Sequence, residues 1–233
     1  MSVIHEFTFV CHHGSPGTPE DFKFISEGLS QYNWHPVDRY SGDKGPSEGA
    51  HIQIGYSWGS VSAINAAVKN PEHTKAVILI SPYMFVDKKM SPAIKTILSL
   101  PILGNILLSK MAPKSIGKMI KDSSSPKEIP ENYKPCEKLF SNPKILKPAL
   151  FEKDIPTTNI IENLKSLKKL AIPVLLLRGD SDKTSGENKQ FSELAKHLDV
   201  AEVIFTEGGH ALPWTHTQGV IDEIKKFLSN FNQ

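Results

Sequence analysis

The sequence predicts an α/β fold: a doubly wound, mostly parallel sheet carrying a helical insertion. Three observations carry that expectation. Short apolar runs alternate with amphipathic stretches of helical length. The pentapeptide Gly55-Tyr56-Ser57-Trp58-Gly59 lies between one such run and one such stretch. Residues 83–165 then interrupt the alternation and read as an insertion between two parts of one core, 1–82 and 166–233. A chain of 233 residues is long enough for a single core with an insertion of that size.

The elements follow in order. Phe7-Thr8-Phe9-Val10-Cys11 has the apolar character of a buried strand, near 7–12. Thr18-Pro19-Glu20, a capping residue followed by proline at the first helical position, starts a helix near 19–31. A strand near 34–37 comes next. Four of the nine residues from Ser41 to Gly49 are Gly or Pro, so that segment is expected to be a loop. Strand 51–55, helix 58–69 and strand 75–80 complete the first half. After the insertion come strand 173–177, a helix near 186–198 and strand 202–206. A last helix, from about Gln218 to Phe231, sets Val220, Ile221, Ile224, Phe227 and Leu228 on one face. There are no internal repeats.

The insertion holds nine prolines from Pro92 to Pro156, which predicts short, broken helices. Its runs from Ile94 to Leu100 and from Ile102 to Leu108 are apolar at helical spacing. They are expected to pack on the core rather than to form a lipid-binding surface; lining an acyl or aryl pocket is the functional reading of the same residues. Between residues 83 and 169 there are 16 Lys and 8 acids, whereas the rest of the chain carries a net charge of −6. A basic lid over an acidic core can steer anionic substrates; solvated lysines on short amphipathic helices are the preferred account of the count. With no arginine and few aromatics among those lysines, nucleic acid is not an expected partner.

The chemistry concentrates in four places. G-x-S-x-G between strand and helix places a serine on a sharp turn, with the following helix aiming free N–H groups at a developing oxyanion. Upstream, a strand runs into His12-His13-Gly14-Ser15-Pro16-Gly17, a tight loop able to turn a backbone N–H toward that serine. Downstream, Val174 to Leu177 leads into Arg178-Gly179-Asp180-Ser181-Asp182, and Ala201 to Phe205 leads to Gly208-Gly209-His210. Nucleophile, acid and base thus occur in the order Ser…Asp…His.

In these four motifs the chain resembles the α/β-hydrolase superfamily over nearly its whole length. The resemblance implies a serine hydrolase with Ser57 as nucleophile, His210 as base and Asp182 as acid, with Asp180 tying the turn by local hydrogen bonds. It implies an oxyanion hole made by the backbone N–H groups of Ser15 and Trp58, with the indole of Trp58 beside it. Against the family pattern the chain starts at the third strand, leaving the first hairpin missing or vestigial. It also has only a loop where relatives carry a helix before the elbow strand, so one sheet edge or face is expected to be less covered, a site for homo-oligomer formation. The G-x-S-W-G form resembles serine aminopeptidases of the proline-cleaving kind, but Gly14-Ser15-Pro16-Gly17 departs from their Gly-Gly-Pro-Gly loop. Dehalogenases and epoxide hydrolases carry aspartate where this chain has Ser57.

His13 and Trp214 are the candidate pocket residues, with hydrogen bonding to loop carbonyls as the structural reading of His12 and His13. His216 lacks the Gly-Gly turn that precedes His210, and Ser124–Lys127 and Ser141–Lys144 match S-x-x-K by chance. No cofactor or metal is called for, since Cys11 and Cys136 lack ligand spacing. Two distant cysteines, no leader-like start and no apolar run of membrane-spanning length make a cytoplasmic protein the expectation. The expected reaction is carboxylic ester hydrolysis on a small-molecule substrate. Amide, peptide or C–C cleavage, a lyase reaction, or ligand-binding signalling on the same fold are the alternatives.

Overall fold

The computed structural model describes residues 7–86, 90–154, 157–185 and 189–230. The expectations for the first six residues, for the start of the helix near 186 and for its C-terminal counterpart at Phe231 lie outside these. The described residues form a six-stranded sheet in the order β2-β1-β3-β4-β5-β6, every neighbouring pair parallel. The strands are β1 (Phe7–His12), β2 (Asn33–Val37), β3 (Ala50–Tyr56), β4 (Thr74–Ile80), β5 (Val174–Gly179) and β6 (Ala201–Phe205). Strands buried on both faces explain why β4 and β5 read as near-continuous apolar runs.

Alternate side chains of these strands feed two cores. On one face Phe9, Ile52, Ile54, Ile78 and Leu177 pack with α1 (Lys23–Gly28) and α10 (Thr217–Ser229). The stripe Val220, Ile221, Ile224, Phe227 and Leu228 is buried, as its spacing requires. On the other face Val77, Leu79 and Leu176 meet α2 (Gly59–Lys69), α7 (Thr157–Lys169) and α8 (Lys189–Ala195). Helix α7 crosses the expected insertion boundary at 165; its Ile160, Leu164 and Leu167 are buried in the same cluster as α2. The segment between β2 and β3 is a loop, as its glycines and prolines predict, yet the sheet beneath is not bare. Val10 and Val37 are buried, and Gly45 approaches them so closely that an added Cβ would stand 3.1 Å from Val10 Cγ1.

The insertion differs from its proline-based expectation. It contains α3 (Pro92–Ser99), α4 (Pro101–Ser124), α5 (Cys136–Phe140) and α6 (Pro143–Phe151), and α4 runs for 24 residues. Pro92, Pro101 and Pro143 sit at helix starts, where no amide hydrogen bond is lost. Pro113 lies inside α4, at a cost of about 3 kcal/mol. Burial of Leu108, Ile116 and Ile120 along the same helix, at about 1.5–3 kcal/mol each, outweighs it. These residues form a third cluster with Tyr133, Phe140 and Leu146, seated on Ala211 and Trp214 of α9 (Leu212–Thr215). Apart from Leu108, buried in the third cluster, and Leu98, packed against it, the apolar runs of α3 and early α4 do not pack on a core: α3 buries no residue, and Ile102 is 77% exposed. Spacing fixes which residues share a face but not what covers that face.

Candidate active site

Ser57 sits at the end of β3 with φ of 52°, a left-handed conformation that bulky residues avoid. Its two glycines are needed for space. A Cβ on Gly55 would stand 2.5 Å from Ser60 Cα, and one on Gly59 would stand 1.9 Å from the His12 carbonyl oxygen. The turn therefore closes only if the helix start can press against both β3 and the end of β1.

From that turn a continuous hydrogen-bond chain runs through the buried side chains. Ser57 Oγ lies 2.8 Å from His210 Nε2, and His210 Nδ1–H donates to Asp182 Oδ2 at 2.8 Å. Asp182 Oδ1 accepts the backbone N–H groups of Thr184 and Ser185, at 2.9 and 3.1 Å, and Oδ2 also accepts the Ser185 hydroxyl at 2.7 Å. Burial pushes this carboxyl up, but the His210 ring and the Ser185 donors outweigh it and hold it below the usual range. The β5 and β6 loops that carry acid and base are tied together: Asp180 N–H donates to Phe205 O, and Ser181 N–H to Gly208 O. Among the described residues, Asp180 takes the Ser181 hydroxyl and does not reach His210.

The Gly14–Gly17 loop borders the same space. Its anchor is Asp21, a buried residue whose Oδ2 accepts the Gly14 N–H at 2.8 Å. Among the described residues, neither the Ser15 N–H nor the Trp58 N–H donates to a protein acceptor. Arg39, at the end of β2, donates to the His13 and Gly14 carbonyls and pairs with Glu152 at 3.2 Å. Lys153 Nζ donates to Ser15 O at 3.0 Å, and Ser15 Oγ donates to Ala149 O at 3.3 Å. Loop and insertion are thus joined by one polar network.

A cavity of about 230 Å³ opens over Ser57 and His210. The core lines it with Ser15 and Tyr56; the insertion adds Tyr83, Met119, Ser123, Tyr133, Phe140 and Lys153. Neither of the expected pocket residues reaches it. His13 is fully buried with its Nδ1–H on Gly14 O, its ring pushed down to about 3 by burial and by Arg39. Trp214 stacks behind Tyr133, ring centroids 4.7 Å apart, so Tyr133 and not the indole forms the wall. The Trp58 indole is likewise absent from the cavity wall; it is 2% exposed, in the cluster between α2 and the sheet. The stretches around Ile94 and Ile102 contribute nothing to the lining either. Asp21, Arg39, Tyr133, Lys153 and Ser185 are the residues that sequence reasoning missed. Asp21, in the first turn after a Gly-rich loop, is the one with a local signal; the others are brought in only by tertiary packing. Groups of three or more His, Cys, Asp or Glu able to hold a metal ion do not occur among the described residues.

The family model described as "Serine aminopeptidase, S33" matches residues 14–213, spanning all four motifs. The chain belongs to this α/β-hydrolase family. No curated protein is similar enough in sequence to count as a match. Solved α/β-hydrolase structures share the fold at low identity. An esterase from Thermogutta terrifontis superposes with a TM-score of 0.69 at 17% identity, covering 97% of this chain and 90% of the other. A bromoperoxidase from Bacillus anthracis gives 0.72 at 14%, with 97% and 93% covered. An esterase from Exiguobacterium antarcticum gives 0.68 at 15%, again with 97% and 93% covered.

Proposed function

We propose that this α/β hydrolase cleaves carboxylic esters of small or medium acyl groups through an acyl-enzyme on Ser57. The observation that carries the reading is the unbroken chain Ser57–His210–Asp182, 2.8 Å at each link, under a closed-in cavity. Ser57 Oγ attacks the ester carbonyl while His210 Nε2 takes its proton. Asp182 holds the imidazole in the tautomer with Nδ1–H and stabilises its charged form. The N–H groups of Ser15 and Trp58 take the oxyanion, a role their lack of protein acceptors suits. His210 then gives its proton to the departing alkoxide, releasing the alcohol. Water, deprotonated by the same ring, attacks the acyl-enzyme and frees the acid. The helices from α3 to α6 serve as a cap, and the acyl chain lies against Met119, Tyr133 and Phe140. The two buried thiols, both unpaired, suit a reducing cytoplasm.

Aminopeptidase activity is the second reading, favoured by the family match. The cavity speaks against it, because an α-ammonium needs an acceptor carboxylate. Among the described residues lining the cavity there is no Asp or Glu, and there is one lysine. The test is intact-protein mass after fluorophosphonate treatment, followed by turnover of paired p-nitrophenyl esters and aminoacyl p-nitroanilides. One adduct on wild type and none on Ser57→Ala, with ester turnover dominant, is the expected result. Absence of an adduct on folded wild type overturns the nucleophile assignment, and dominant anilide turnover selects the peptidase.

A further inference from the structure

We propose that α3 and the first half of α4 form a docking surface for anionic lipid bilayers. The two helices meet at 105°, and Gly104 permits the fold-back: a Cβ there would stand 2.1 Å from the Leu98 carbonyl oxygen. Around this corner Ile94, Ile97, Leu100, Ile102, Leu103 and Ile106 are each at least 44% exposed. An apolar patch of this kind on a folded surface marks an interaction site. No single described helix is long and apolar enough to cross a membrane; α3 and α4 reach that length and apolarity only taken together across their sharp bend. The sharp corner presents its apolar side chains outward, the geometry of a segment lying in an interface.

Charge selects the occupant. Lys110, Lys114, Lys118 and Lys121 recur at intervals of four, four and three, which sets them on one face of α4. Leu103 and Ile106, seven and four residues before Lys110, lie on that same face. The outward side of α4 is therefore apolar in its first turns and basic beyond them. From 90 to 125 the sequence holds five lysines and one acid, Asp122, which is paired with Lys118. Apolar residues at the headgroup boundary followed by a row of ammonium groups match a negatively charged membrane surface. A second copy seated on the same patch brings basic helices together with a single acid per copy to meet them. Met119 and Ser123, farther along α4, line the cavity, so docking sets the cavity roof against the bilayer.

The inference stands apart from the ester reading and is tested without substrate. The full-length protein is centrifuged with vesicles of phosphatidylcholine alone, or mixed with phosphatidylglycerol. Wild type is expected to sediment with the mixed vesicles, partitioning at least about tenfold more strongly than onto phosphatidylcholine, and to be released by salt. Lys110→Gln and Lys114→Gln each lower that partition about fivefold, the equivalent of about 1 kcal/mol per lysine near a charged surface. The double variant Ile102→Glu/Leu103→Glu abolishes it; both sites are exposed, and circular dichroism verifies the fold. Failure of wild type to sediment, or sedimentation indifferent to these variants, overturns the proposal. So does a lipid-free dimer that the double variant dissociates, since that makes the occupant a second copy.

Discussion

Ser185 donates its hydroxyl to the same oxygen of Asp182 that accepts from His210, at 2.7 Å beside 2.8 Å. That oxygen thus carries two donors, and the other oxygen is held by two backbone N–H groups. Ser185 is a positioning residue: it touches the acid and not the substrate. Ser185→Ala removes one hydrogen bond to a charged group, about 1.5 kcal/mol, and is expected to lower kcat about tenfold. KM for a small neutral ester should stay unchanged, because the substrate cavity is untouched. Steady-state kinetics with the fold verified by circular dichroism measures this, and an unaltered kcat removes Ser185 from the machinery.

Two aspartates share one turn, and the geometry separates them. Asp182 reaches His210, whereas Asp180, among the described residues, accepts from Ser181. Asp182→Asn is expected to cost on the order of 10⁴ in kcat, since the amide favours the wrong imidazole tautomer. Asp180→Asn keeps an acceptor for Ser181 and leaves kcat within about twofold, a surface change of under 0.5 kcal/mol. Parallel assays of both variants decide between them; equal losses contradict the assignment.

The residues readable from sequence are those whose role is local. Ser57 and His210 lie in motifs with defined backbone needs, and the loop from Ser41 to Gly49 follows from its glycines and prolines. The parallel sheet is legible because β4 and β5 are apolar on both faces. Trp214 and His13 are misjudged for the opposite reason: closeness in sequence to the site does not settle which way a side chain points. Trp214 packs behind Tyr133, a residue 81 positions away that carries no motif. Lys153 is one lysine among 16 in its region, and nothing local marks it as the one turned inward. Prolines mislead in α4, since their effect depends on their place in the helix and on the burial of the residues around them.

That inward lysine shapes selectivity. Lys153 bonds the Ser15 carbonyl with one N–H and lies 5.9 Å from the Tyr83 ring, in a cavity wall without carboxylates among its described residues. Burial lowers its pKa, yet Glu152 beside it favours the charged form. Esters whose acyl chain ends in a carboxylate are expected to gain about 1.5 kcal/mol from it, a charge-assisted hydrogen bond. Lys153→Met should therefore cut kcat/KM about tenfold for a succinate monoester while leaving the butyrate ester nearly unchanged. Equal losses on both esters indicate that the lysine only supports the Ser15 loop.

Asp21 supports that loop from beneath, at a cost that depends on pH. Its carboxyl is 3% exposed, Oδ1 has no partner, and burial pushes its pKa up to about 7 from an ordinary 3.8. Between those values the folded state binds the proton more tightly than the unfolded chain. Wild-type stability from this group is therefore present at low pH and is lost as pH rises toward about 7. Asn at this position cannot ionise but still offers an oxygen to the Gly14 N–H. Asp21→Asn is thus expected to gain stability relative to wild type as pH is raised from about 4 to about 7, then to hold that gain. His12 and His13, buried and held neutral, contribute a slope of opposite sign. Being common to both proteins, that slope cancels in the difference. Urea unfolding at a series of pH values measures that difference, and a pH-independent gap would show that Asp21 is ionised alike in both states.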